Sequence, residues 1–87
     1  MVAASIILYN PELTCLRENI ESIVDQVEVV YLVDNGSKNS AANKEMAATW
    51  EKCRYIDNGK NLGIARALNI AMEQAKKDGA GWVLTLD

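Results

Sequence analysis

The chain has 87 residues, 49% hydrophobic and 24% charged, which bounds it to one ordinary globular domain. Twelve acids against nine scattered bases give a net charge of −3, so no nucleic-acid partner is expected, because phosphate-backbone binding demands a basic face. Histidine is absent, which excludes Ser-His-Asp and Cys-His catalysis and histidine metal sites.

No run approaches the roughly 20 apolar residues that span a bilayer, so no membrane span is expected. The apolar N-terminus lacks the basic flank and cleavage site of a signal peptide. Cys15 and Cys53 form no CxxC pair and read as reduced thiols of a cytosolic protein. A phosphate-ester ligand would need backbone N–H groups, a few local cations or a metal to meet its charge.

Residues 3–9 are a short apolar run rich in β-formers, suited to a strand covered on both faces. Asn10, Pro11 and Glu12 then read as a helix start, with Asn10 as N-cap and Pro11 in the first turn. Leu13, Leu16, Ile20, Ile23, Val24 and Val27 follow at helical spacing and predict one apolar stripe. Residues 29–33 make a second strand, ended by the turn formers Asp34, Asn35, Gly36 and Ser37.

Residues 41–52, with Met46 and Trp50, predict a second helix. Arg54, Tyr55 and Ile56 predict a third strand, and residues 57–61 a polar loop. Residues 62–77 predict a third helix with Ile64, Leu68, Met72 and Ala75 on its apolar stripe. Lys76 and Lys77 suit its negative end, and Gly79 its stop. Residues 82–86 are a fourth strand. The order βαβαβαβ predicts an α/β fold, a parallel sheet with helices on both faces. Since strand four is as apolar as strand one, more of the sheet is expected beyond Asp87.

In such a sheet ligands bind outside the carboxyl ends of the strands. Tyr9, Asn10 and Pro11 follow strand one. Asp34 to Ser37 follow strand two, Asn61 to Gly63 follow strand three, and Asp87 ends strand four. Asp34 has two readings, a carboxylate that binds a base or ribose or an acid in an Asx-turn with Gly36. The Asn61–Gly63 segment is either a simple helix cap or a turn that lets a diphosphate approach a helix N-terminus. Asn69 is a solvated flank or a loop partner. Arg66 reads as a surface arginine or a phosphate contact. A lone Asp87 holds Mg²⁺ or Mn²⁺ poorly without substrate phosphates.

Four stretches in this order resemble glycosyltransferase family 2: Ile6-Ile7-Leu8-Tyr9-Asn10-Pro11, Val33-Asp34-Asn35-Gly36-Ser37, Asn61-Leu62-Gly63-Ile64-Ala65 on to Asn69, and Leu84-Thr85-Leu86-Asp87. In detail they look most like its bacterial rhamnosyltransferase branch. The resemblance implies the Rossmann-like, nucleotide-binding front half of a GT-A fold, occupying residues 1–87 of a longer domain. It implies that Asp34 bonds the donor base and that Tyr9 and Asn10 line the base pocket. Asn35, Gly36, Asn61 and Gly63 complete the nucleotide site. Asp87 matches the first acid of the DxD motif, which shares a divalent metal, Mn²⁺ or Mg²⁺, with the diphosphate.

Many family members carry Arg immediately before the position of Asn69, where this chain has Leu68, and Arg66 faces another side of the helix. The second acid of DxD, the catalytic base and the acceptor site would all lie past Asp87, so the 87 residues alone are expected to be inactive. The implied reaction is inverting transfer from a dTDP- or UDP-linked sugar to a saccharide or lipid-linked acceptor. Polysaccharide-building members work in the cytoplasm at the inner membrane face. A nucleotidyltransferase would want a Gly-rich basic loop after strand one, and a receiver-type binding module would want acids there. Tyr9-Asn10-Pro11-Glu12 is neither Gly-rich nor basic, and strand one ends without an acid.

Overall fold

A computed structural model describes residues 1–86, so the expected metal ligand Asp87 lies outside the described residues. The elements are β1 (Val2–Leu8), α1 (Leu13–Ile23), a 3-10 turn (Val24–Gln26), β2 (Val29–Asp34), α2 (Ser40–Ala47), β3 (Cys53–Asp57), α3 (Ile64–Lys77) and β4 (Trp82–Leu86). The four strands form one parallel sheet in the order β3-β2-β1-β4. The expected βαβαβαβ order is therefore present, with α1 and α2 on one face and α3 on the other.

Side chains alternate across each strand, so β1 feeds two cores. Ala4, Ile6 and Leu8 face α1 and α2, where they meet Leu16, Ile20, Ile23 and Ala47. Ala3 faces α3 in a second cluster with Val29, Tyr31, Val33, Ala67, Ala71 and Ala75. Burying a Leu or Ile side chain contributes about 1.5–3 kcal/mol, so the first face carries most of the apolar stabilisation.

Of the expected α3 stripe, Ala75 is buried, but the rest differs. Its buried positions are Ala67, Ala71 and Ala75, whereas Ile64 is 64% and Met72 39% exposed. The reason is size matching. The sheet supplies the bulk through Tyr31, which is fully buried and donates its hydroxyl to Asp78 at the end of α3. A row of alanines lets the helix backbone lie close over that ring. Ile64, Leu68 and Met72 belong to a different flank of the helix.

Two helix limits also differ. Asn10 is not the N-cap of α1. Its backbone is left-handed at φ +49, not the extended form usual for an N-cap, and the first helical residue is Leu13, two positions past Pro11. The cap position falls to extended Glu12, whose carbonyl accepts the Leu16 N–H. The second helix stops at Ala47, not residue 52, and its last turn tightens into bonds from Thr49 to Met46 and from Trp50 to Ala47.

At the far edge of the sheet, Trp82 and Leu84 on β4 are 75% and 46% exposed. They sit in register with Val2 and Ala4, on the face that α1 covers farther in. No helix among the described residues is long and apolar enough to cross a membrane.

Because the α3 interface is filled by small side chains under a large ring, overpacking it is the sharpest test of this arrangement. Ala71→Leu is expected to destabilise the chain by about 1–3 kcal/mol, read as a lower urea midpoint with an unchanged slope.

Candidate functional site at the carboxyl edge of the sheet

Parallel register sets Leu8, Asp34 and Asp57 side by side at the carboxyl ends of β1, β2 and β3. The ladder continues one step beyond them, since Asn35 N–H donates to the Leu8 carbonyl at 2.8 Å and Asn58 N–H to the Asp34 carbonyl at 2.9 Å. The three following loops are thus held at one level before any side chain acts.

Asp34 is fully buried. Its Oδ1 accepts the Ser37 N–H at 2.8 Å. Its Oδ2 accepts the Tyr55 hydroxyl at 2.6 Å and the Asn43 amide at 3.1 Å. Burial alone would raise the carboxyl's pKa, but the bonds from Ser37, Tyr55 and Asn43 outweigh it and hold the group below its usual range. The turn half of the sequence reading is present, with Ser37 rather than Gly36 as donor. Both carboxylate oxygens thus accept from protein donors, and through Ser37 the group fixes the turn after β2.

Asn35, almost as buried, uses its whole amide to hold the loop after β3. Its Oδ1 accepts from Leu62 N–H at 3.0 Å and Asn58 Nδ2 at 3.2 Å. Its Nδ2 donates to Asn61 Oδ1 at 3.0 Å and to the Gly63 carbonyl at 3.4 Å. Asn61 Oδ1 also accepts the Gly63 N–H at 2.8 Å in an Asx-turn, so of the two sequence readings the simple Asn61 helix cap is not formed. Gly63 itself occupies the cap position of α3 at φ +85, where no side chain caps the helix. The first N–H groups of α3 are therefore without an intrahelical partner.

Gly36 joins these two loops by contact. At φ +85, a Cβ there would lie 2.7 Å from the backbone of Lys60. Only glycine allows the loop after β2 to press on the loop after β3 this closely.

The loop after β1 is tied in by Asn10. Its N–H donates to Ser37 Oγ at 2.8 Å, and its Oδ1 accepts the Lys38 N–H at 2.7 Å. Asn39 Nδ2 adds a bond to the Pro11 carbonyl at 2.9 Å. Left-handed Asn10 is what turns both its amide and its side chain toward that loop.

Of the sequence-selected residues, Tyr9, Asn10, Asn61 and Gly63 face solvent, Gly36 is half-buried, and Asp34 and Asn35 lie beneath them. All seven converge on this edge. Sequence reading missed Ser37 as a side-chain acceptor, Asn39, Asn43, Tyr55 and Asn58. Asn43 inside an Ala-rich helix was the available signal, because Asn is a poor helix former. Arg66 and Asn69 stay exposed on α3, beside Leu62 in an open groove of about 470 Å³. Another groove, about 390 Å³ and bounded by Glu21, Asp25 and Glu51, lies away from this edge, and Lys52 beside it is committed to the Val24 and Val27 carbonyls.

Among the described residues, no three acids or thiols converge to hold a metal ion.

A family model described as Glycosyl transferase family 2 matches residues 4–87. Among curated proteins, a dTDP-rhamnosyl transferase RfbF of Shigella flexneri is 35% identical over 86 residues, 99% of this chain and 28% of that protein. The chain spans less than a third of that relative's length. No solved structure matches.

The depressed carboxyl of Asp34 fixes a pH dependence. A folded-state pKa below the unfolded value stabilises the fold above the unfolded pKa, about 3.9, and that contribution is lost as pH falls through the folded value. Asp34→Asn is expected to destabilise the chain by about 1–3 kcal/mol at pH 7, because an amide presents a donor to donors. Melting temperatures from pH 7 to pH 2 should show a shallower acid decline in the variant than in the wild type.

Proposed function

This chain belongs to glycosyl transferase family 2, and from that premise we propose that it forms the donor-nucleotide-binding part of a glycosyltransferase. The donor is a nucleoside-diphosphate sugar, dTDP- or UDP-linked. The observation that carries this reading is the locking of three loops at one sheet edge, with Tyr9, Asn10, Asn61 and Gly63 left facing solvent above a fixed base. The similarity to a dTDP-rhamnosyl transferase favours dTDP-rhamnose among such donors.

Each group has a role that follows from its chemistry. The exposed Tyr9 ring offers an apolar face for stacking on a base. The backbone around Asn10 lines the same pocket. Asp34 and Asn35 act from below by fixing the loops, and Gly36 and Gly63 keep the backbone low enough for a nucleotide to lie against it. The uncapped N-terminus of α3 beside Gly63 presents N–H groups and the positive end of a helix dipole to a diphosphate.

In the proposed reaction an acceptor hydroxyl, on a saccharide or lipid-linked molecule, is deprotonated. It attacks the anomeric carbon with inversion, and the nucleoside diphosphate departs. A divalent cation, Mn²⁺ or Mg²⁺, would supply Lewis-acid stabilisation of that leaving group. Its ligands from this chain would be limited to Asp87, alongside the donor's own phosphates. The contribution assigned to the described residues is binding and orientation of the donor, with no catalytic base among them.

Titration of the chain with UDP and dTDP, with and without Mn²⁺, followed by backbone amide NMR, tests this. Affinity in the millimolar to sub-millimolar range, about 4–6 kcal/mol, should move the amides of Tyr9, Asn10, Asn35, Gly36 and Gly63 and leave the 390 Å³ groove at Trp50 and Glu51 still. Shifts confined to that groove, or absent at millimolar nucleotide in a folded sample, would refute a donor site at the carboxyl edge.

A further inference from the structure

We propose that Tyr55 and Asn43 are positioning residues for the nucleotide site, which together hold Asp34 so that the segment from Ser37 to Asn39 keeps the loop after β1, with Tyr9 and Asn10, in its binding geometry. The inference rests on the reading of the carboxyl edge as the donor site. It adds two residues that lie outside the loops themselves, one on β3 and one on α2.

The geometry is a relay beneath the loop. Tyr55 and Asn43 both donate to Asp34 Oδ2, at 2.6 and 3.1 Å, which leaves Oδ1 aimed at the Ser37 N–H at 2.8 Å. Ser37 Oγ in turn accepts the Asn10 N–H at 2.8 Å. A second branch leaves Asn43 itself. Its Nδ2 also donates to Asn39 Oδ1 at 3.2 Å, and Asn39 Nδ2 donates to the Pro11 carbonyl at 2.9 Å. Both branches end on the loop after β1, where exposed Tyr9 and Asn10 stand.

Two facts separate this from ordinary core packing. Asn43 is fully buried, and its Oδ1 has no hydrogen-bond partner. A buried acceptor without a donor costs stability, and an apolar residue in α2 would avoid that cost. What Asn43 adds is its pair of donated bonds, to Asp34 and to Asn39. Tyr55 is only half-buried, yet its hydroxyl sits between the Asp34 carboxylate and the Ser40 carbonyl at 3.3 Å. Burial, the bond to Asp34 and the charges of Asp34 and Asp57 all push its phenol above the ordinary range, so it remains a donor at any working pH.

The charged and titratable groups around Asp34 are few. β3 contributes Tyr55 and, in direct register with Asp34, Asp57. α2 contributes uncharged Asn43, and β1 contributes Leu8.

The test uses Tyr55→Phe and Asn43→Asp, with three readouts: melting temperature, hydrogen exchange at Ser37 N–H against Val30 N–H in the sheet, and affinity for dTDP and UDP. Losing a hydrogen bond to a charged group corresponds to about a tenfold effect or more. Tyr55→Phe should speed Ser37 exchange about tenfold relative to Val30 and weaken nucleotide affinity about tenfold. Asn43→Asp sets a carboxylate against a carboxylate, where one of the two holds a proton only at lowered pH. Its Ser37 protection and affinity should be lost at pH 7 and partly return at pH 5.

A merely structural role would lower the melting temperature without singling out Ser37 and without that pH-dependent return. If both variants bind nucleotide as tightly as the wild type, with Ser37 unchanged, the positioning role is overturned and the site reading stands. If the wild type binds neither nucleotide, the site reading falls and this inference with it. Should Asn43→Asp fail to fold, Tyr55→Phe decides alone.

Discussion

A carboxylate and an amide at the end of the central strand must find partners once they are buried, and the carboxyl edge is built around that requirement. Leaving Asp34 unpaired beneath the surface would cost more than most single interactions in a domain of this size return. The chain meets the demand with donors from three directions: the following turn, α2 and β3. Asn35 meets the same demand by exhausting its amide on the loop after β3. The bonds that satisfy two buried side chains therefore set the loops after β2 and β3, and Asn10 and Asn39 tie the loop after β1 to them. Rigidity at the edge is a consequence of burial, and preorganised loops are what a binding site needs to avoid the ordering cost of capture.

The sheet makes this possible at low local cost. Parallel pairing brings Leu8, Asp34 and Asp57 to one level, so short side chains span the gaps between loops. Gly36 removes the remaining distance, since no other residue could press on Lys60 at a positive φ. On the opposite face, the alanine row of α3 under Tyr31 brings the start of that helix down beside Asn61 and Gly63. Packing and site are thus linked through one helix: the small residues that let α3 sit low also place its uncapped N-terminus at the edge.

Most of the architecture was legible because apolar runs and turn formers alternate cleanly. The strands emerge within a residue or two of their expected limits, and every sequence-selected loop residue in the described chain reaches the same edge. What was not legible has physical causes. Residue type alone marks Asn10 as a cap, but its left-handed backbone and its bonds to Ser37 and Lys38 commit it to the neighbouring loop. The α3 stripe was read from the largest side chains, whereas the helix buries its smallest against a bulky sheet residue that sequence periodicity on the helix does not show. Tyr55 read as an ordinary strand residue, because its partner lies 21 positions away. Long-range polar pairing leaves almost no trace in local pattern.

The central claim is that the three loops form one cooperative unit organised from Asp34 and Asn35. Hydrogen exchange on Asn35→Ala addresses it most directly, at two amides that Asn35 does not itself bond: Gly63 N–H, held by Asn61, and Lys38 N–H, held by Asn10. The account predicts that both lose protection together by about tenfold or more, while Val30 in the sheet keeps its own. Loss at Gly63 with Lys38 unchanged, or no loss at either, would mean that the loops are independent and that the edge is not the single preformed surface described.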